Sequence, residues 1–139
     1  MAIKSALKHW LKTKSSAQEI SQTTRSIGQE MEAVAINHLK AHGLTLVKQN
    51  FSSKFGEIDL IFQTQDTLIF VEVKYRKSNA YGGAIHAIPT QKQQKIVKTA
   101  QFYMQQAKLN EYNTSCRFDV VAIQGSAAHP EITWLKNAF

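Results

Sequence analysis

GEIDLIFQTQDTLIFVEVKYR (56–76) holds two apolar runs, GEIDLIF (56–62) and TLIFVEVKYR (67–76), separated by the short polar turn 63–66. Runs of this length rich in Ile, Val, Phe and Leu, joined by a polar turn, predict two antiparallel strands. Alternation along a strand puts Glu57 and Asp59 on one face of the first run and Ile58, Leu60 and Phe62 on the other, core-facing side. In the second run Glu72 and Lys74 share a face with Leu68 and Phe70, while Ile69, Val71 and Val73 cover the opposite face. A strand apolar on both faces is buried on both faces, so an acid and a lysine late in this run need partners.

The surrounding chain supplies the rest of a sheet. LTLVKQNF (44–51) predicts a strand that completes an antiparallel meander. Before it, Ile27, Met31, Val34, Ala35 and His38 form a helical stripe from Ser26 to about His42, stopped by Gly43. Tyr81-Gly82-Gly83 marks a loop, and Pro89 opens a second helix to about Lys108 with Ile96, Ala100, Tyr103, Met104 and Ala107 inward. RFDVVAI (117–123) and EITWL (131–135) read as final strands. The order is αβββαβ with an added edge strand: an α/β fold with one mixed sheet flanked by helices. The crossover helix makes the third strand parallel to RFDVVAI.

A chain of 139 residues with 43% hydrophobic residues and 2 prolines suits one domain with an ordinary core. We expect it over 26–139, preceded by a basic, flexible tail over 1–25, which carries five basic residues and one acid. Cys116 is the one cysteine, so no internal disulfide forms, and a reducing, cytoplasmic setting is expected. No run approaches the roughly 18 apolar residues of a membrane span. The net charge of +7 favours polyanions, and the stretch 74–98 holds six basic residues and no acid. Neither a phosphate-binding GKS or GKT, a GxSxG elbow nor a CxxC pair occurs, and the five histidines, His38 and His42 included, lack ligand spacing.

If the two central strands pair, Asp59 and Glu72 approach at one end of the sheet. Two close carboxylates repel, raise each other's pKa and are relieved by a hard divalent cation such as Mg²⁺ or Mn²⁺. Lys74 beside them could orient an attacking water and stabilise charge on a phosphodiester. Glu32, at the border of the first helix's stripe, could complete the site directly or through water. The bland reading is structural, with Glu72 and Lys74 neutralising each other or Arg117 pairing with Asp59. Convergence of four charged groups beside a basic stretch favours catalysis.

Asp59, Glu72 thirteen residues on, then Val73 and Lys74 resemble the Asp…Glu-x-Lys signature of the PD-(D/E)XK, or restriction-endonuclease-like, nucleases. The segment from about Gly28 to Asn137-Ala138-Phe139 resembles the YraN family of small bacterial proteins related to archaeal Holliday-junction resolvases, through GEIDLI, FVEVKYR, Tyr81-Gly82, Lys92, RFDVV (117–121) and the terminal NAF. The resemblance implies a restriction-endonuclease-like core, Asp59 and Glu72 as ligands of Mg²⁺ or Mn²⁺, Lys74 as catalytic lysine and Glu32 as the acid of the first helix. Met31 stands where the family tends to have glycine, and Ser52 where an arginine is common, with Lys54 near enough to substitute. Lys54, Arg76, Lys77, Lys92 and Lys95 are the expected contacts to a nucleic-acid backbone, DNA before RNA. A homodimer would suit a two-fold symmetric junction. The rival expectation is a non-catalytic nucleic-acid- or protein-binding module on the same scaffold.

Overall fold

The computed structural model describes residues 26–76 and 88–139; the expected tail over 1–25, the loop at Tyr81-Gly82-Gly83 and Lys77 lie outside the described residues. Helix α1 covers 26–41. Strands β1 (Thr45–Ser53), β2 (Gly56–Gln63) and β3 (Thr67–Arg76) follow, then α2 (Thr90–Gln106), β4 (Ser115–Gly125) and β5 (Pro130–Leu135). The expected element order is therefore the one observed. The five strands form a single sheet in the order β1-β2-β3-β4-β5. β3 and β4 run parallel and the other neighbours antiparallel, because only β3 and β4 are joined through a crossover helix.

Over the compact unit Met31–Phe139, each sheet face carries its own core. On one, Met31, Ala35, Ile36 and Leu39 of α1 pack on Leu60, Phe62, Ile69, Val71, Val121 and Ile123. On the other, Ile96, Ala100 and Met104 of α2 pack on Phe51, Ile58, Ile61, Leu68 and Phe70. The α1 stripe therefore takes in Ile36 and Leu39 besides Met31 and Ala35. At the end of α2, Ala107 is exposed rather than inward, and Thr99 is buried instead. Both helices stop on a left-handed residue, Gly43 (φ 87°) and Lys108 (φ 59°). The following amides of Leu44 and Leu109 bond back to Leu39 and Met104, satisfying carbonyls that the helix leaves open.

One expectation fails instructively. Ile58 does not share a face with Leu60 and Phe62; it belongs to the α2-side core with Phe51 and Ile61. The alternation reverses at Asp59 because the β2–β3 ladder ends at Leu60↔Val71. Beyond it the Asp59 carboxylate, through Oδ2, accepts the Val73 N–H at 2.9 Å, replacing a main-chain partner with a side chain. On β1, Asn50 lies at the same level, between the pairs Gln49↔Leu60 and Phe51↔Ile58, and has φ 51°. Asparagine tolerates that conformation better than most residues, so both strands swivel together.

The far edge is closed by a buried acid. Asp119 is fully buried and accepts hydrogen bonds from Arg117 Nε (3.1 Å), Trp134 Nε1 (2.9 Å) and the Asn137 amide (3.0 Å). Ala138 N donates to Phe118 O at 2.8 Å, and Phe139 stacks on Phe118, which stacks on Phe70. RFDVV and the terminal NAF thus act together as a clasp that ties the chain end to β4. Arg117 spends its charge on Asp119, so the alternative pairing of Arg117 with Asp59 is not the one formed. Asp119→Ala is expected to cost about 3–5 kcal/mol, since it strands a partly buried guanidinium and two donors. Urea unfolding followed by intrinsic fluorescence measures this; a loss below about 1 kcal/mol would show the clasp to be marginal.

Candidate functional site

The swivel at Asp59 opens the sheet where β2 leaves β3, and the N-terminal turn of α2 lies over the opening. The resulting open cleft of about 560 Å³ is lined by Gly56, Glu57, Asp59, Glu72, Pro89, Gln91, Lys92, Lys95 and Ile96. Gly56 ends the Lys54-Phe55 turn with φ 154°, a conformation that disfavours a side chain. Ser53 holds that turn, accepting from Phe55 N and reaching Thr99 Oγ1 at 3.3 Å, which ties the hairpin to α2.

Asp59 and Glu72 both line this cleft, and each carboxyl acts on the titration of the other. Glu72 is buried (7% exposed), and its Oε1 lies 2.7 Å from the Lys92 ammonium. Burial first, and then the Asp59 charge, push the Glu72 carboxyl from an ordinary 4.5 up to about 7 against the pull of Lys92. Burial raises Asp59 as well, opposed chiefly by the N–H that Val73 donates to it.

Lys74 leaves β3 on the Glu72 face. Burial, then Arg76 and Lys92, push its ammonium below the ordinary lysine range, and Glu72 opposes them. Glu32 of α1 accepts a hydrogen bond from Asn50 Nδ2 at 3.3 Å. Its carboxyl is raised by burial and also by the charges of Asp59 and Glu57, so it flanks the pair within electrostatic reach. Among the described residues no three His, Cys, Asp or Glu side chains converge into a closed metal site. Two adjoining carboxylates nonetheless fit a hard divalent cation, which commonly takes one or two carboxylates and keeps several waters. The ammonium on Glu72 marks the spot as one that attracts positive charge.

The basic residues divide. Lys92 and Lys95 line the cleft, Lys54 sits at the hairpin turn with its ammonium 5.2 Å from the Phe55 ring centroid, and Arg76 is exposed at the end of β3. Sequence reading missed two features. Lys92 is the ion-pair partner of Glu72 rather than only a surface lysine, and nothing in a helical period reveals a partner on another strand. Asn50, which holds Glu32, carries a usable signal in being an asparagine inside a strand, where that residue is disfavoured. His38 and His42 pack with each other and edge-on to Trp134, remote from any ligand role. Met31 is a core residue (3% exposed).

Fold and cleft together define a small α/β protein with an acid pair and two lysines at a break in its sheet. Residues 31–123 match the model of the family described as Uncharacterised protein family UPF0102. A UPF0102 protein of Colwellia psychrerythraea is 52% identical over 126 residues, covering 91% of this chain and 96% of the relative. One from Vibrio campbellii is 47% identical over 114 residues (82% and 92%), and one from Stutzerimonas stutzeri 42% over 116 residues (84% and 96%). The chain belongs to the UPF0102 family, in agreement with the YraN-like resemblance of its motifs.

The acid pair makes stability depend on pH. Because the folded state holds the Glu72 proton more tightly than the unfolded chain, the stabilisation is complete below pH about 4.5 and is lost as pH rises through about 7. The Tm of chelator-treated protein is therefore expected to fall between those values, and Glu72→Gln to flatten the fall. A wild-type profile as flat as the variant's would contradict the raised Glu72 carboxyl.

Proposed function

We propose that this protein is a metal-dependent endonuclease of the restriction-endonuclease-like, PD-(D/E)XK, superfamily that hydrolyses phosphodiester bonds in DNA. The observation that carries this reading is that Asp59 and Glu72 line one open cleft, with Lys92 paired to Glu72 and Lys74 within electrostatic reach of both. Asp59 and Glu72 would hold Mg²⁺ or Mn²⁺. When bound, such a cation supplies Lewis-acid polarisation of a phosphoryl oxygen.

The chain's own groups do the rest. The Val73 N–H holds the Asp59 carboxylate in place. Lys74, its ammonium destabilised by burial and neighbouring cations, orients the attacking water and meets the charge that grows on the phosphate. Glu32, positioned by Asn50, is the third acid and acts from the rim of the pair. Lys54, Arg76, Lys92 and Lys95 supply phosphate contacts, and the net charge of +7 favours the approach of a polyanion. Branched or structured DNA is the substrate class that the resolvase-like resemblance favours, with a homodimer supplying one cut per protomer. The described residues include no helix long and apolar enough to cross a membrane.

The test is cleavage of labelled single-stranded, flapped and four-way-junction DNA with Mg²⁺ or Mn²⁺. Wild type is expected to cut at least one substrate, and Asp59→Ala, Glu72→Ala and Lys74→Ala to lose about 100-fold or more while keeping the wild-type fold by circular dichroism. Binding that persists without metal, with no cleavage of any substrate, would replace the nuclease by a binding module on this scaffold.

A further inference from the structure

The ion pair between Lys92 and Glu72 is unusual in where it places positive charge. Lys92 is the third residue of α2, in a first turn that holds no acid. The N-terminal end of a helix carries partial positive charge, so a cation there is disfavoured unless something compensates it. The compensation is Glu72 Oε1 at 2.7 Å, a charge-assisted contact. The Lys92 side chain is 51% exposed, so its stem can swing without disturbing the core beneath Ile96. Lys92 and Glu72 both act electrostatically on the Lys74 ammonium, in opposite directions. A divalent cation on Asp59 and Glu72 would add two further positive charges at the oxygen Lys92 now holds.

We propose that Lys92 is a displaceable internal cation: it neutralises the Asp59–Glu72 pair in the metal-free protein, leaves Glu72 when a divalent metal binds, and is thereby released toward the cleft mouth beside Lys95. There it becomes a phosphate contact that is available only once the site is loaded. This rests on the metal-binding reading above and adds an order of events to it. Metal and Lys92 compete for the same carboxylate oxygen, and loading the metal readies the cleft for its anion.

Competition predicts that removing Lys92 tightens metal binding. Lys95 lines the same cleft one helical turn later, so it controls for the general effect of deleting a positive charge. Mn²⁺ binding to the full chain, read as loss of the free-ion electron paramagnetic resonance signal, is compared for wild type, Lys92→Met, Lys95→Met and Glu72→Gln. We expect Lys92→Met to bind about tenfold more tightly than wild type, Lys95→Met to change by less than about threefold, and Glu72→Gln to lose binding. Equal tightening by both lysine variants would reduce Lys92 to one more positive charge in the cleft and overturn the proposal. So would an unchanged Lys92→Met on a wild type that binds Mn²⁺. No Mn²⁺ binding by wild type or either lysine variant would instead remove the metal reading itself, and this inference with it.

Discussion

The hydrogen bond from the Val73 amide to the Asp59 carboxylate is the contact on which the rest of the site depends. It stands where the β2–β3 ladder would otherwise continue, so a main-chain acceptor is exchanged for a charged side chain. Several consequences follow from that exchange. β2 leaves β3, the inward residues of β2 switch from one core to the other, and Asp59 is fixed at the level of Glu72. The cost of taking one carboxylate out of water is offset by an N–H aimed at it, while the second carboxylate is met by a lysine. A break in a sheet thus becomes a place where charge can gather.

The two cores explain why this break does not unravel the fold. β3 is buried on both faces and keeps continuous parallel pairing with β4 from Thr67↔Ser115 to Arg76↔Gln124, past the point where β2 departs. The cleft therefore opens against a rigid floor. Its roof is the first turns of α2, tied to the β1–β2 hairpin by the Ser53–Thr99 contact. At the opposite edge the Asp119 clasp satisfies another buried acid by a different solution, with an arginine and two N–H donors. One acid is closed off and structural; the other pair faces the cleft and is only partly neutralised.

Much of this was legible from residues alone. GEIDLIF and TLIFVEVKYR announce paired strands because their apolar residues are too dense for anything but a buried sheet. The isolated charges Asp59, Glu72 and Lys74 stand out because ionised groups are costly in such strands. Pro89 and Gly43 mark a helix start and a helix stop by backbone chemistry. Less legible were Ile58's change of face and the role of Asn50, since period-two alternation assumes an unbroken ladder. The inward stripes of the helices were read only in part, missing Ile36, Leu39 and Thr99, because a 3.6-residue period leaves the width and centre of the buried face to the packing partner.

By itself the sequence determined the element order, the parallel pairing forced by the crossover helix, and the identity of the two central carboxylates and their lysine. These depend on local periodicity and on the cost of burying charge, both of which are properties of short stretches. Only the tertiary structure decided that Lys92, twenty residues beyond Glu72, completes the pair, that Arg117 belongs to Asp119, and that Asn50 links Glu32 to the rim of the site. Such pairings turn on where the tips of long side chains from different elements come to rest. Sheet twist, the break at Asp59 and the seat of α2 set those positions, and none of the three is written in any one segment.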